Sequence, residues 1–260
     1  MSGVQFSVFT KPWKDTSTSE LAKFVKKSGF DGIEFPLRPG YQVEPKHADK
    51  ELPVLVKQLN DYGLKIFSVA SSLDERVFAA CAEAGIPIIR TMIAVKDDGF
   101  IPAVRRAQQE FDEKIAWCEK YGITIGVQNH NGRFISNSSG LLYLLEKYDP
   151  KHVTAIWDAA HNALEGEEPE IGLSAVWSHL AMVNFKNAYQ RRTNGPESEE
   201  ARWEPYFTTG RQGYASWRRI AGYLKSRDYQ GVVCLTAEYS DEHNVNKYIK
   251  EDIEYARSLF

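Results

Sequence analysis

The sequence predicts one (β/α)8 TIM barrel running through residues 1–260, and three observations predict it. Eight short apolar runs alternate with helix-period stretches along the whole chain. Glycine precedes most of the runs, and no linker-like stretch divides them. The length of 260 residues is long for an ordinary domain and matches the roughly 250 residues of such a barrel.

The first run, 4–9, is followed by Thr10-Lys11-Pro12-Trp13. That turn has no glycine to cradle a phosphate, so a dinucleotide-binding sheet is disfavoured and no nucleotide cofactor is expected. Runs two to four, 32–35, 65–70 and 87–94, follow Gly29, Gly63 and Gly85. Glycine suits these returns because a helix commonly ends on a left-handed residue. The fifth run, 123–128, follows Gly122 and a stretch in which Val104, Ala107, Phe111, Ile115 and Cys118 repeat at helical spacing. Runs six and seven cover 153–157 and 180–186. The eighth, 232–237, follows Gly231 and a helix carrying Trp217, Ile220 and Leu224. A last helix presents Val245, Tyr248, Ile249, Ile253 and Ala256. Between the seventh run and Trp217 lies 187–213, longer than the roughly 12–15 residues usual for a loop without structure. We expect it to overhang the barrel mouth as a lid.

Composition narrows the function. With 43% hydrophobic and 26% charged residues, the chain is too apolar for disorder and too charged for a membrane protein. A net charge of −3 gives no basic signal for nucleic acid. Cys81, Cys118 and Cys234 are odd in number, widely spaced and set among apolar neighbours, as expected of free thiols in a reducing compartment. The first residues lack a signal-peptide pattern and no apolar run reaches membrane-spanning length. A cytoplasmic protein without a membrane partner is expected, with a homo-oligomer left open.

Period-two alternation points to the site. Gln128 shares a face with Thr124, Gly126 and His130; Asn184 and Lys186 share one with Met182; Glu238 shares one with Val232, Cys234 and Thr236. In each case the presumed inner face turns polar at its C-terminal end, where barrel enzymes place their chemistry. The sixth strand ends likewise in Asp158, with His161 close behind. The candidate set is Glu34, Gln128, His130, Asp158, His161, Asn184, Lys186 and Glu238. Carboxylates and amide oxygens suit a hard divalent cation, magnesium or manganese before zinc. Glu34 and Arg90 are candidates for binding the substrate, or for an ion pair with each other. Trp13, Tyr189 and Trp203 are candidates for stacking on a sugar. His47, His152, His179 and His243 are read as surface or packing residues.

These pieces, in order, resemble the xylose-isomerase-like barrel superfamily, in its sugar phosphate isomerase/epimerase branch. They are Asp31-Gly32-Ile33-Glu34, Gly126-Val127-Gln128-Asn129-His130, Trp157-Asp158 with His161, Val183-Asn184-Phe185-Lys186-Asn187, Gly210-Arg211-Gln212-Gly213 ahead of Trp217, and Gly231 ahead of Glu238. The resemblance implies a metal at the mouth, held by acids on strands five, six and eight and a histidine on strand seven. Asp158 and Glu238 match that pattern. Gln128 stands where the family commonly has glutamate, and Asn184 where it has histidine. The expected metal ligands are therefore Gln128, Asp158, Asn184 and Glu238, with weakened affinity.

The resemblance also implies proton transfer beside a carbonyl. A glutamine is no base, which disfavours a symmetrical pair of glutamates. Glu238 is the expected base, with His130, His161 or Lys186 as the partner acid. An isomerase or epimerase of a sugar or keto-sugar is expected first. A lyase or dehydratase in the same pocket is second, and a sugar-binding protein that has lost turnover is third. Endonuclease IV-like DNA repair is disfavoured: its histidine-rich zinc cluster is not visible among six histidines.

Overall fold

A computed structural model describes residues 3–260. The strands are β1 (Gln5–Phe9), β2 (Gly32–Pro36), β3 (Lys65–Ala70), β4 (Ile88–Thr91), β5 (Thr124–Gln128), β6 (Val153–Asp158), β7 (Leu180–Phe185), β8 (Asn187–Arg192), β9 (Trp203–Thr208) and β10 (Val232–Leu235). Eight of them close a parallel barrel in the order β1-β10-β7-β6-β5-β4-β3-β2. The outer layer comprises α1 (Thr18–Lys27), α2 (Ala48–Asn60), α3 (Glu75–Ala84), α4 (Phe100–Tyr121), α5 (Ser138–Leu145), α6 (Ala159–Leu164), α7 (Pro169–Val176), α8 (Trp217–Ser226) and α9 (Val245–Ser258). Each predicted run overlaps one barrel strand, with ends differing by up to three residues, so the expected fold class is the observed one. No helix among the described residues is long and apolar enough to cross a membrane.

Side-chain parity divides the core into two parts. Phe9, Ala70, Ile156, Met182 and Cys234 pack together inside the barrel. Val8, Ile33, Val69, Ile125, Val183 and Leu235 face outward into the layer between sheet and helices. Gly126 shows how tightly the interior is filled: a Cβ there would lie 2.6 Å from Ile156 Cδ1. All three cysteines are buried free thiols.

Local chemistry sets the element ends. Ser17 caps α1: its hydroxyl oxygen accepts from Glu20 N–H and its hydroxyl donates to the Glu20 carboxylate at 2.6 Å. The predicted left-handed glycines adopt that geometry at Gly29, Gly63, Gly85 and Gly122. Gly231 does not: Asp228, with φ of 52°, takes the left-handed position after α8.

The 187–213 stretch departs from the predicted structureless loop. β8 and β9 pair antiparallel from Asn187↔Thr208 to Arg192↔Trp203 as a hairpin. Buried Asn187 anchors its base. Its amide donates to the carbonyls of Gly210 and Ala215, and its oxygen accepts from the N–H groups of Ala188 and Ala215. Phe207 and Ser240 exchange further bonds at 2.9 and 3.0 Å, tying β9 to the turn after β10.

Candidate active site

The polar ends of the barrel strands converge on one mouth. An outer cleft of about 800 Å³ is lined by Trp13, Tyr41, Lys186, Phe207, Glu238 and His243, among others. Below it lies a pocket of about 70 Å³. Arg90, Gln128, His130, His161, Asn184 and Glu238 line that pocket, and Lys11 and Glu238 border both spaces.

Glu238 is the centre of the mouth. β10 ends at Leu235, and Ala237 then adopts φ of 53°. This left-handed conformation costs a non-glycine residue about 1 kcal/mol and turns the chain at the point where Glu238 enters the site. The carboxylate sits between two ammonium groups: Lys186 Nζ donates to Oε2 at 2.9 Å, and Lys11 Nζ donates to Oε1. Burial pushes its pKa up, but Lys186 and Lys11 outweigh burial and hold it at about 2. The Phe207 ring lies 4.0 Å from Lys186 Nζ, so the base of the hairpin places an aromatic face against the ammonium.

Deeper in the barrel a hydrogen-bonded network crosses five strands, β2 to β6. Arg90 Nε donates to Glu34 Oε1 at 2.6 Å, and Ser68 donates to the same oxygen at 3.0 Å. An Arg90 terminal nitrogen donates to Gln128 Oε1. Gln128 Nε2 in turn donates to Asp158 Oδ2 at 2.9 Å. The other Asp158 oxygen caps α6, accepting from the N–H groups of Ala160 and His161 at 3.0 and 3.1 Å. Burial raises the Asp158 pKa to about 6, although Lys186 and the helix N–H groups oppose it. Arg90 also lies 4.8 Å from the Phe9 ring centroid.

The two histidines stack, with centroids 3.9 Å apart. His130 Nδ1 donates to the Asn131 carbonyl at 2.9 Å. Both ring nitrogens of buried His161 and both amide atoms of buried Asn184 lack protein partners. Burial, then the positive charges nearby, lowers both imidazole pKa values, that of His161 most strongly. Two neutral rings and an unpaired amide therefore face a small pocket, an arrangement suited to hydroxyl or carbonyl oxygens.

Three of the four expected metal ligands are engaged by protein groups, and only Asn184 is unpartnered. The Gln128 oxygen faces Arg90, and its nitrogen faces Asp158. Both Asp158 oxygens already accept protein hydrogen bonds. Glu238 is bracketed by two ammonium groups. Among the described residues no group of three or more His, Cys, Asp or Glu side chains is arranged to hold a metal.

Trp13 lines the cleft as expected, its indole N–H bonded to Asn246 at 2.8 Å. Trp203 is 58% exposed on the hairpin and lines neither space. Tyr189 packs on Tyr206, with centroids 5.3 Å apart, and also stays outside. Glu34 is wholly enclosed by Arg90 and Ser68 and does not line the pocket; Arg90 does. Lys11, Arg38 and Phe207 are among the pocket and cleft residues that the sequence did not single out. Lys11 carries a usable signal, since it lies just beyond the first strand's C-terminal end.

The family model for the xylose isomerase-like TIM barrel matches residues 22–259. The inosose dehydratase of Mesomycoplasma hyopneumoniae is 25% identical over 151 residues, covering 55% of this chain and 50% of that protein. The chain thus spans about half the length of that curated relative. Three solved structures superpose over nearly the whole chain. The 3-keto-D-glucoside 4-epimerase of E. coli has a TM-score of 0.74 at 14% identity, covering 98% of this chain and 99% of that one. The probable 3-DHS dehydratase of petrobactin synthesis from Bacillus anthracis has 0.73 at 15%, covering 97% and 98%. The D-psicose 3-epimerase of Clostridium cellulolyticum H10 has 0.73 at 13%, covering 98% and 99%. At such identities the structural likeness concerns the fold.

Proposed function

We propose, from the premise that this chain belongs to the xylose isomerase-like TIM-barrel family, that it is an enzyme moving a proton beside the carbonyl of a sugar or keto-sugar, in isomerase or epimerase chemistry. One observation carries this reading: the Glu238 carboxylate stands at the junction of cleft and pocket, ionised and hydrogen-bonded to Lys186. A carboxylate beside an ammonium is a base beside an acid, the pair that enolisation of a ketone requires.

The substrate's polar end would enter the pocket among His161, Asn184 and Arg90, whose unpaired or charged groups replace lost water contacts. Trp13 and Phe207 would cover its carbon face from the cleft. Glu238 would then take the proton from the carbon next to the carbonyl. Gln128 on the opposite side cannot act as a second base, so the site has one carboxylate base rather than a facing pair.

That asymmetry supports a second reading, elimination of water from a keto-sugar or keto-polyol, and the similarity to inosose dehydratase over half its length favours it further. In an elimination the same base removes the proton, and Lys186 or a histidine protonates the departing hydroxyl. Proton NMR in deuterium oxide with a panel of ketoses and keto-polyols separates the outcomes. Deuterium at the carbon next to the carbonyl, with an isomer or epimer formed, supports the first. A dehydrated product supports the second. No exchange and no product across the panel would sink both.

A further inference from the structure

We infer that the Lys186 ammonium, backed by Lys11 and Arg90, does the electrostatic work that the sequence pattern assigns to a divalent metal, so that proton transfer here is metal-independent. This inference rests on the proton-transfer reading of the same site.

Cations at the mouth already outnumber carboxylates. Arg90 pairs with Glu34, and both Lys186 and Lys11 pair with Glu238; Asp158 accepts only from neutral donors, and Arg38 is a further cation in the pocket wall, so four cations stand among three carboxylates. Adding a doubly charged ion would increase that excess of positive charge at the mouth. The geometry says the same. An ion at Glu238 would stand beside two ammonium groups, one on each carboxylate oxygen, and an ion at the Gln128 oxygen would stand beside the Arg90 guanidinium. Glutamine and asparagine at two ligand positions fit a site from which the ion is missing by design: each carries one acceptor oxygen and no charge.

Lys186 is placed for the substitution. Its stem leaves β7 beside Asn184, and its ammonium lies 2.9 Å from Glu238 with the Phe207 face against it. A substrate carbonyl entering between them would take over one of its three N–H donors. Glu238 then keeps Lys11 and becomes a stronger base once Lys186 turns to the carbonyl. In the step itself, Glu238 removes the proton from the carbon and the C–H electron pair becomes the C=C bond of an enediol. The carbonyl oxygen takes a proton from Lys186. Reversal of both transfers, with the proton returned to carbon, restores the two side chains.

The full chain is stripped with EDTA and titrated with Mn²⁺ by calorimetry, and deuterium exchange into a ketose substrate is measured in EDTA and in Mn²⁺. The expected results are no saturable binding below about 1 mM, against the micromolar or tighter binding of built sites, and equal exchange rates in both media. Lys186→Met should lower the exchange kcat about 100-fold, as loss of one donor to a developing oxyanion does, with KM nearly unchanged. Lys186→Arg, which keeps the charge, should recover part of the loss and guards against a folding defect in Lys186→Met. Stoichiometric Mn²⁺ binding, or exchange that EDTA abolishes and Mn²⁺ restores, overturns the inference. If no sugar in the panel exchanges, the proton-transfer reading fails by itself. The Mn²⁺ titration still decides the question of a resident metal.

Discussion

Lys186 Nζ lies 2.9 Å from Glu238 Oε2 where the cleft meets the pocket. Removing the carboxylate therefore removes the base and strands two ammonium groups. Glu238→Gln should reduce proton exchange by about a thousandfold, within the range for loss of a general base. Substrate binding, measured by calorimetry or by KM, should change far less. A Glu238→Gln enzyme with near-normal exchange would assign the base elsewhere.

Arg90 and Glu34 form an ion pair inside the barrel, 5% and 0% exposed. Breaking such a pair from one side leaves a buried charge and costs about 3–5 kcal/mol. Arg90→Met should lower the denaturant midpoint by that order. Replacing both, as Glu34→Met with Arg90→Met, should recover most of the loss, because apolar pairs of similar volume are tolerated where a lone charge is not. Additive single losses in this double-mutant cycle would show that the pair is not coupled.

The hairpin separates two aromatic residues by function. Phe207 lies against Lys186 and lines the cleft, whereas Trp203 is exposed at the far end of the β8–β9 pairing. Phe207→Ala should raise KM about tenfold, of the order of 1–2 kcal/mol for a lost ring face. Trp203→Ala should leave kcat and KM unchanged. The opposite ranking would make the hairpin tip a lid that closes over the substrate.

Asp252 supplies a pH-dependent contribution to stability. It accepts from Gly210 N–H and Tyr239 hydroxyl, both at 2.8 Å, joining α9 to the end of the hairpin and to the residue after Glu238. Burial raises its pKa to about 6, the two donors opposing without cancelling it. In the unfolded chain the group titrates near pH 4. Between these values the folded protein holds a proton that the unfolded chain has released, so stability is highest below pH 4 and falls until about pH 6. The fall amounts to about 3 kcal/mol, since each pKa unit is worth about 1.4 kcal/mol. Urea midpoints across pH 4–7 should show a downward slope in the wild type that is shallower in Asp252→Asn by this amount. Equal slopes would remove Asp252 from the account.

Much of this site is written in the sequence by parity. Met182, Asn184 and Lys186 alternate with Ala181, Val183 and Phe185, so the inner face and its polar end follow from the strand period. Asp158 and Glu238 stand out for the same reason. Amide orientation has no such signature. Nothing in the residue type says that Gln128 turns its oxygen to Arg90 and its nitrogen to Asp158. The hairpin has little strand signature because β8 ends in the polar run Gln190-Arg191-Arg192 and β9 carries Glu204 and Pro205. Its base depends on Asn187, whose four hydrogen bonds appear only when distant carbonyls are brought together. Lys11 was visible in position but not in role, since its partner lies at the other end of the chain.

Solvent-deuterium exchange beside a substrate carbonyl, followed by NMR in EDTA-treated buffer for the wild type and for Glu238→Gln, tests the central claim most directly. The account predicts exchange at one carbon with the wild type and almost none with the variant. Equal exchange by both proteins, or exchange by the wild type only after a divalent cation is restored, would contradict it.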